Sequence, residues 1–154
     1  MARISFAVLL FALAIVASAF QTGTVQATAR GGFEFSKNGG KGASTISGTL
    51  RLGAKPIVDL MFVAKNDLGV TLDGHEEAVI FMTAVTRSTV KSNQIVVTGP
   101  GTFQGEARTI EITLTDATRR GDSDAVRVRV LNNGFVEFDQ SSKLQTGAIT
   151  IKKV

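Results

Sequence analysis

Few residues in this sequence have types and spacings that could do chemistry, and most of them fall in residues 116–124, which include the string TRRGDSD. Asp122 and Asp124 stand two apart and Asp116 lies a short way upstream, so three carboxylates could gather at one end of a β-domain. A calcium ion takes roughly six to eight hard oxygen ligands, and carboxylates are the commonest of them. The Asp-x-Asp-x-Asp-Gly pattern of a dedicated calcium loop is missing, and Arg119 and Arg120 would compete for the same carboxylates. Asp116, Asp122 and Asp124 are thus the metal candidates, for calcium. No catalytic residue and no other cofactor is expected. The same stretch holds Arg120-Gly121-Asp122-Ser123, which cell-adhesion receptors can read when it is displayed at a loop tip. A turn accounts for it more simply: Gly permits positive φ, and Asp and Ser side chains bond back to nearby backbone N–H groups.

The remaining chemistries lack parts. Residues 73–77, DGHEE, contain the one His of the chain, His75. A hydrolytic metal site wants a second His, or carboxylates delivered from other strands. A serine triad would depend on His75 alone, and no Gly-x-Ser-x-Gly elbow occurs. There is no Cys, which removes thiol catalysis and thiolate zinc sites. The glycine-rich GGKG is not followed by a helical pattern, so it offers no helix N-terminus to a phosphate. Sugar faces are usually gripped by stacked Trp or Tyr, and both are absent, although Phe could serve. The net charge of +4 is spread along the chain with mixed signs. Nucleic acid is not an expected partner, because that role wants a basic stripe interleaved with aromatics.

Period-two patterning dominates the elements that would position these residues. TISGTLRL places Ile46, Gly48, Leu50 and Leu52 on one face, TIEITLTD turns Ile110, Ile112 and Leu114 inward, and AVRVRV does the same with Val126, Val128 and Val130. IVDLMFVA and EAVIFMTAV are more continuously apolar, and QIVVTG, GFVEFD and AITIKK complete the set. Turn signals separate the runs: KNGGKG at 37–42, AKP at 54–56, GPG at 99–101 and NNG at 132–134. Asn-Gly suits a type I′ hairpin, across which Arg127 or Arg129 could face Glu137. The expected fold is all-β, a single-domain antiparallel β-sandwich of about eight to nine strands over residues 30–154.

The N-terminus predicts the compartment. Arg3 gives a short positive region, residues 4–16 (ISFAVLLFALAIV) an apolar one, and ASA or VQA a cleavage site after Ala19 or Ala27. The apolar run is shorter than the ~20 residues a membrane span needs. Residues 1–27 are therefore expected to be a signal peptide, with no membrane span left after cleavage and a secreted product, periplasmic or extracellular. With no Cys behind the apolar region, a lipid-anchored form is excluded.

The order of motifs in the second half, VTGPGTFQGEARTIEITLTD, GDSDAVRVRV, FVEFD and LQTGAITIKK, behind an opening GGKGASTISGTLRL, resembles the post-COAP-type domain of secreted bacterial proteins. On that resemblance Gly121 and Asp124 would form the family's turn and Arg127 or Arg129 its strand arginine. Leu144, Gly147, Ile149, Ile151 and Lys153 would form its closing strand. Ala148 stands where a polar residue is usual, the usual His of the closing strand is missing, and the turn lacks its common Pro. The resemblance implies a secreted β-domain, often an accessory module, and supplies no catalytic residue. The functional expectation is a non-enzymatic structural or interaction module outside the cytoplasmic membrane, whose partner is an extracellular protein or cell-surface component. A calcium- or carbohydrate-binding accessory domain is the alternative.

Overall fold

The computed structural model describes residues 24–37, 40–66, 77–117 and 122–154. These residues form ten strands and no helix: β1 (Val25–Lys37), β2 (Gly40–Leu52), β3 (Ile57–Asn66), β4 (Glu77–Met82), β5 (Arg87–Val90), β6 (Gln94–Phe103), β7 (Glu106–Thr115), β8 (Ala125–Asn132), β9 (Phe135–Lys143) and β10 (Thr146–Lys153). All pairings are antiparallel, in one sheet of order β10-β1-β2-β3-β4-β6-β7-β8-β9, with β5 added along β6. The all-β antiparallel sandwich expected from the sequence is what forms, built by a single sheet curled over on its own apolar face.

Alternation explains which face turns in. Side chains on a strand point to opposite faces in turn, and Ile110, Ile112, Leu114, Val126, Val128 and Val130 are all buried while Arg127 between them is exposed. Strand twist of one hand accumulates across so wide a sheet until the two ends approach each other. Phe33 of β1, Phe62 of β3, Phe138 of β9 and Phe103 of β6 form a chain of rings through the resulting core, with centroids 6.2, 6.2 and 5.9 Å apart. Ser44 of β2 also reaches Gln140 of β9, at 3.4 Å.

The strands depart from the sequence expectation in number and in one boundary. β1 and β5 are the additions. β1 begins at Val25, ahead of the start expected near Arg30. Its apolar face is made of small residues, Val25, Ala27 and Ala29, which signal a strand weakly. β5 (RSTV) is exposed at its first three positions, so it shows no alternation. Gly99-Pro100-Gly101, expected to break a strand, instead lies inside β6. There β6 passes from β4 to β5 as edge partner, and the glycines let the backbones close. A Cβ on Gly99 would sit 2.0 Å from the Ala84 carbonyl oxygen, and one on Gly101 2.1 Å from that of Phe81. The β6–β7 turn is made by Gln104 and Gly105, both at positive φ. The NNG signal holds: Asn133 and Gly134, at φ 50 and 85, turn β8 into β9.

Candidate functional site

Asp116 and Asp124, two of the three calcium candidates, meet at the open edge of β10. β10 pairs with β1 on one side only, which leaves outward N–H groups on the other. Asp124 Oδ2 accepts from Ile149 N–H at 2.5 Å, and Asp116 Oδ2 from Ile151 N–H at 2.9 Å. Asp124 Oδ1 accepts from Ala117 N–H at 2.7 Å, and the Asp124 carbonyl from Leu144 N–H at 2.7 Å. Two carboxylates thus do for β10 what a neighbouring strand would do, and they clasp the end of the sheet to the β7–β8 connection. Asp122 is exposed and outside this arrangement. A calcium ion here would have to displace three N–H donors from the carboxylates. Among the described residues no group of three or more His, Cys, Asp or Glu side chains could hold a metal ion. Of the positions named for the post-COAP-type resemblance, Asp124, Leu144, Ile149 and Ile151 bond at this clasp and Gly147 lies in β10 at φ 84, whereas Arg127 and Arg129 bond elsewhere and Gly121 lies outside the described residues.

Of the adhesion-like string, Arg120 and Gly121 lie outside the described residues, and Asp122 and Ser123 are exposed. His75 and the rest of DGHEE up to Glu76 also lie outside them, as do residues 1–23, the greater part of the leader expected over residues 1–27. Glu77 is described, and forms an ion pair with Lys65 at 3.4 Å.

The outer face of β7, β8 and β9 is a ladder of ion pairs. Arg127 holds Asp139 through two hydrogen bonds, at 2.9 and 2.7 Å. Arg129 donates to Glu111 at 3.0 Å, and its Nε stands 3.7 Å from Asp139. The Arg127 guanidinium holds the Asp139 carboxyl below its usual range, against the opposing effect of partial desolvation. Glu137, expected opposite Arg127 or Arg129, pairs elsewhere. The β8–β9 register shifts between Val130 and Leu131, so that Val130 faces Phe138 while Leu131 faces Val136. Glu137 is the extra residue of that bulge, re-aimed toward Arg108. Arg108 Nε donates to it at 2.5 Å, and Arg108 Nη2 donates to Glu106 at 2.6 Å. Hydrogen bonds to these two carboxylates raise the already high pKa of Arg108.

The outer face of β10, β1 and β2 is different in kind. Register aligns Thr150, Thr28 and Thr49 in one row, Ala148, Arg30 and Ser47 in the next, and Thr146, Gly32 and Thr45 in a third. A groove of about 650 Å³ runs over these rows. Arg30 is exposed and has no ion pair among the described residues; the same is true of Arg51 and Lys152, which flank Gln26 farther along. Among the described residues no carboxylate lines the groove. These residues were not singled out from sequence. Thr28, Ser47 and Thr150 read separately as ordinary solvent-facing strand residues, and only the register joins them into one surface. Compared with protein-family models, curated proteins and solved structures, the chain has no match in any of the three.

Proposed function

We propose that this protein is a secreted, non-enzymatic β-sandwich that acts as a structural or interaction module outside the cytoplasmic membrane, in the periplasm or beyond the cell. The observation that carries the reading is the uneven use of polar side chains. Asp116, Asp124 and the arginines of β7 and β8 are engaged in holding strands together, whereas the cation and hydroxyls over β10, β1 and β2 face outward without acidic partners among the described residues. Groups held in backbone and ion-pair bonds are scaffold, and an outward surface with unmatched charge is what a recognition module presents. The apolar leader and its small-residue cleavage sites support the compartment. The groove favours carbohydrate over calcium as the accessory-domain form of this reading.

Expression of the full chain with fractionation tests it. The expected product lies outside the cytoplasm and starts at Phe20. Cleavage after Ala27 would remove Val25, Gln26 and Ala27, which are paired on both sides with β10 and β2. Cleavage after Ala19 leaves β1 whole. Recovery from the cytoplasm with the leader attached would overturn the proposal.

A further inference from the structure

The groove over β10, β1 and β2 combines three properties, and together they specify a ligand class. Thr28, Thr45, Ser47, Thr146 and Thr150 line it and place hydroxyls on a surface that is otherwise mostly apolar. Its floor is low, because Gly32 stands between Thr146 and Thr45 and Ala148 stands beside Arg30 in the register. Among the described residues its one charged lining side chain is Arg30, which is exposed and has no acidic partner there. Arg108, Arg127 and Arg129, on the outer face of β7 and β8, each hold a carboxylate of this chain, whereas Arg51, like Arg30, has no ion pair among the described residues. Arg51 and Lys152 stand four residues along the strands from the Arg30 row, which at the usual rise of a β-strand is about 13 Å. Positive charge is therefore sparse and separated by rows of hydroxyl groups.

From this surface we infer that the protein binds an acidic polysaccharide, a carboxylate-bearing glycan, along the outer face of β10, β1 and β2, with Arg30 gripping a carboxylate. A guanidinium presents a planar fork that matches a carboxylate with two parallel hydrogen bonds. Threonine and serine hydroxyls donate and accept, as sugar hydroxyls do. The groove is a shallow, open stretch of sheet surface rather than an enclosed cavity, along which an extended chain can lie. Other polymers fit less well. Nucleic acid wants denser cations and stacking aromatics. A protein or lipid surface wants apolar anchors, and the large exposed apolar side chains, Ile57, Phe81, Phe135, Val136 and Val154, are not among the groove residues.

The inference rests on the proposed extracellular role and names its partner. Isothermal titration of the purified protein with polygalacturonate tests it, beside neutral dextran and inorganic polyphosphate. Polygalacturonate is expected to bind, more weakly as salt rises, and dextran not to bind. Arg30→Ala is expected to weaken binding about tenfold, the loss of one charge-assisted contact. Arg30→Lys, which keeps the charge but not the fork, should fall between. Arg127→Ala, on the paired face, should bind as the unaltered protein does. Unchanged melting of Arg30→Ala shows that the loss is one of contact. The inference fails if polygalacturonate does not bind, if polyphosphate binds as well or better, or if Arg30→Ala and Arg30→Lys both bind normally. A protein that leaves the cytoplasm yet ignores polygalacturonate sinks this inference alone. One retained in the cytoplasm with its leader sinks the proposed function, whatever it binds in a cuvette.

Discussion

The outer faces of β7–β9 and of β10–β1–β2 are made by the same curled sheet, yet they treat charge in opposite ways. On β7–β9 each arginine meets a carboxylate on the same or an adjacent strand, and the face is internally neutralised. On β10–β1–β2 the cations Arg30, Arg51 and Lys152 have no acidic neighbour in their register rows, and hydroxyls fill the positions between them. Exposed ion pairs contribute little to stability, a median of about 0–1 kcal/mol. The ladder therefore sets register and masks charge more than it holds the fold. The opposite face keeps its charge unmasked, and attraction for an anionic partner depends on that difference.

Between the two faces lies the join made by Gly147, Asp116 and Asp124, and breaking it gives the largest effects. Gly147 sits at φ 84, and a Cβ there would lie 1.9 Å from the Arg30 carbonyl oxygen. Gly147→Ala combines a left-handed backbone with a collision against β1, and should cost about 3 kcal/mol or more. A urea midpoint close to that of the unaltered protein would refute it. Because the collision falls at Arg30, the same variant should also disturb the groove while leaving the ladder intact.

Asp124→Ala comes next. It strips acceptors from two backbone N–H groups, Ala117 and Ile149, and opens the β10 edge. Hydrogen bonds to a charged group contribute about 1.5–3 kcal/mol each in net terms; both donors can regain water at an opened edge, so a total loss of about 2–3 kcal/mol is expected. Asp116→Ala removes one such bond, to Ile151, and should lose about half as much. Hydrogen exchange distinguishes this from general loosening: Ile149 and Ile151 amides should lose protection first in the respective variants. Equal losses spread over β7 would mean that the carboxylates do not clasp β10.

How much of this was legible in the sequence follows from the range over which each signal acts. The alternation of β7 and β8 and the Asn-Gly turn are local, and they read correctly. Gly99-Pro100-Gly101 reads locally as a break; its meaning is the close approach of Phe81 in β4 and of Ala84 just beyond it, which no local pattern carries. Asp116 and Asp124 were singled out as carboxylates that gather, and they do act at one end of the sheet. Their partners, however, are the N–H groups of Ile149 and Ile151, and a backbone donor leaves no mark on side-chain composition. Glu137 was set against the wrong arginines because a single extra residue in β9 shifts the pairing. The groove depended on the register of three strands at once, one of which, β1, alternates through alanines too small to announce it.

The smallest predicted effect separates the two faces by pH. Asp139 binds its proton more weakly in the folded protein than in an unfolded chain, chiefly because Arg127 bonds to its charged form, with Arg129 adding a weaker attraction. The stabilisation this brings is complete above the unfolded carboxyl value of about 3.9 and is lost as pH falls through the lower folded value. With side chains half and one-third exposed, Arg127 and Asp139 are screened by water, so the size is a few tenths of a kcal/mol. Asp139→Asn should lower stability by that amount near neutral pH and by less and less as the solution is acidified below about pH 4. Urea midpoints measured for both proteins across that range should converge toward the acid end. The groove side provides the contrast: Arg30→Ala removes no ion pair among the described residues, so its midpoint should track the unaltered protein at every pH. If Asp139→Asn also tracked it, the ladder would be as idle energetically as the open face, and the two would differ only in the charge they show to a partner.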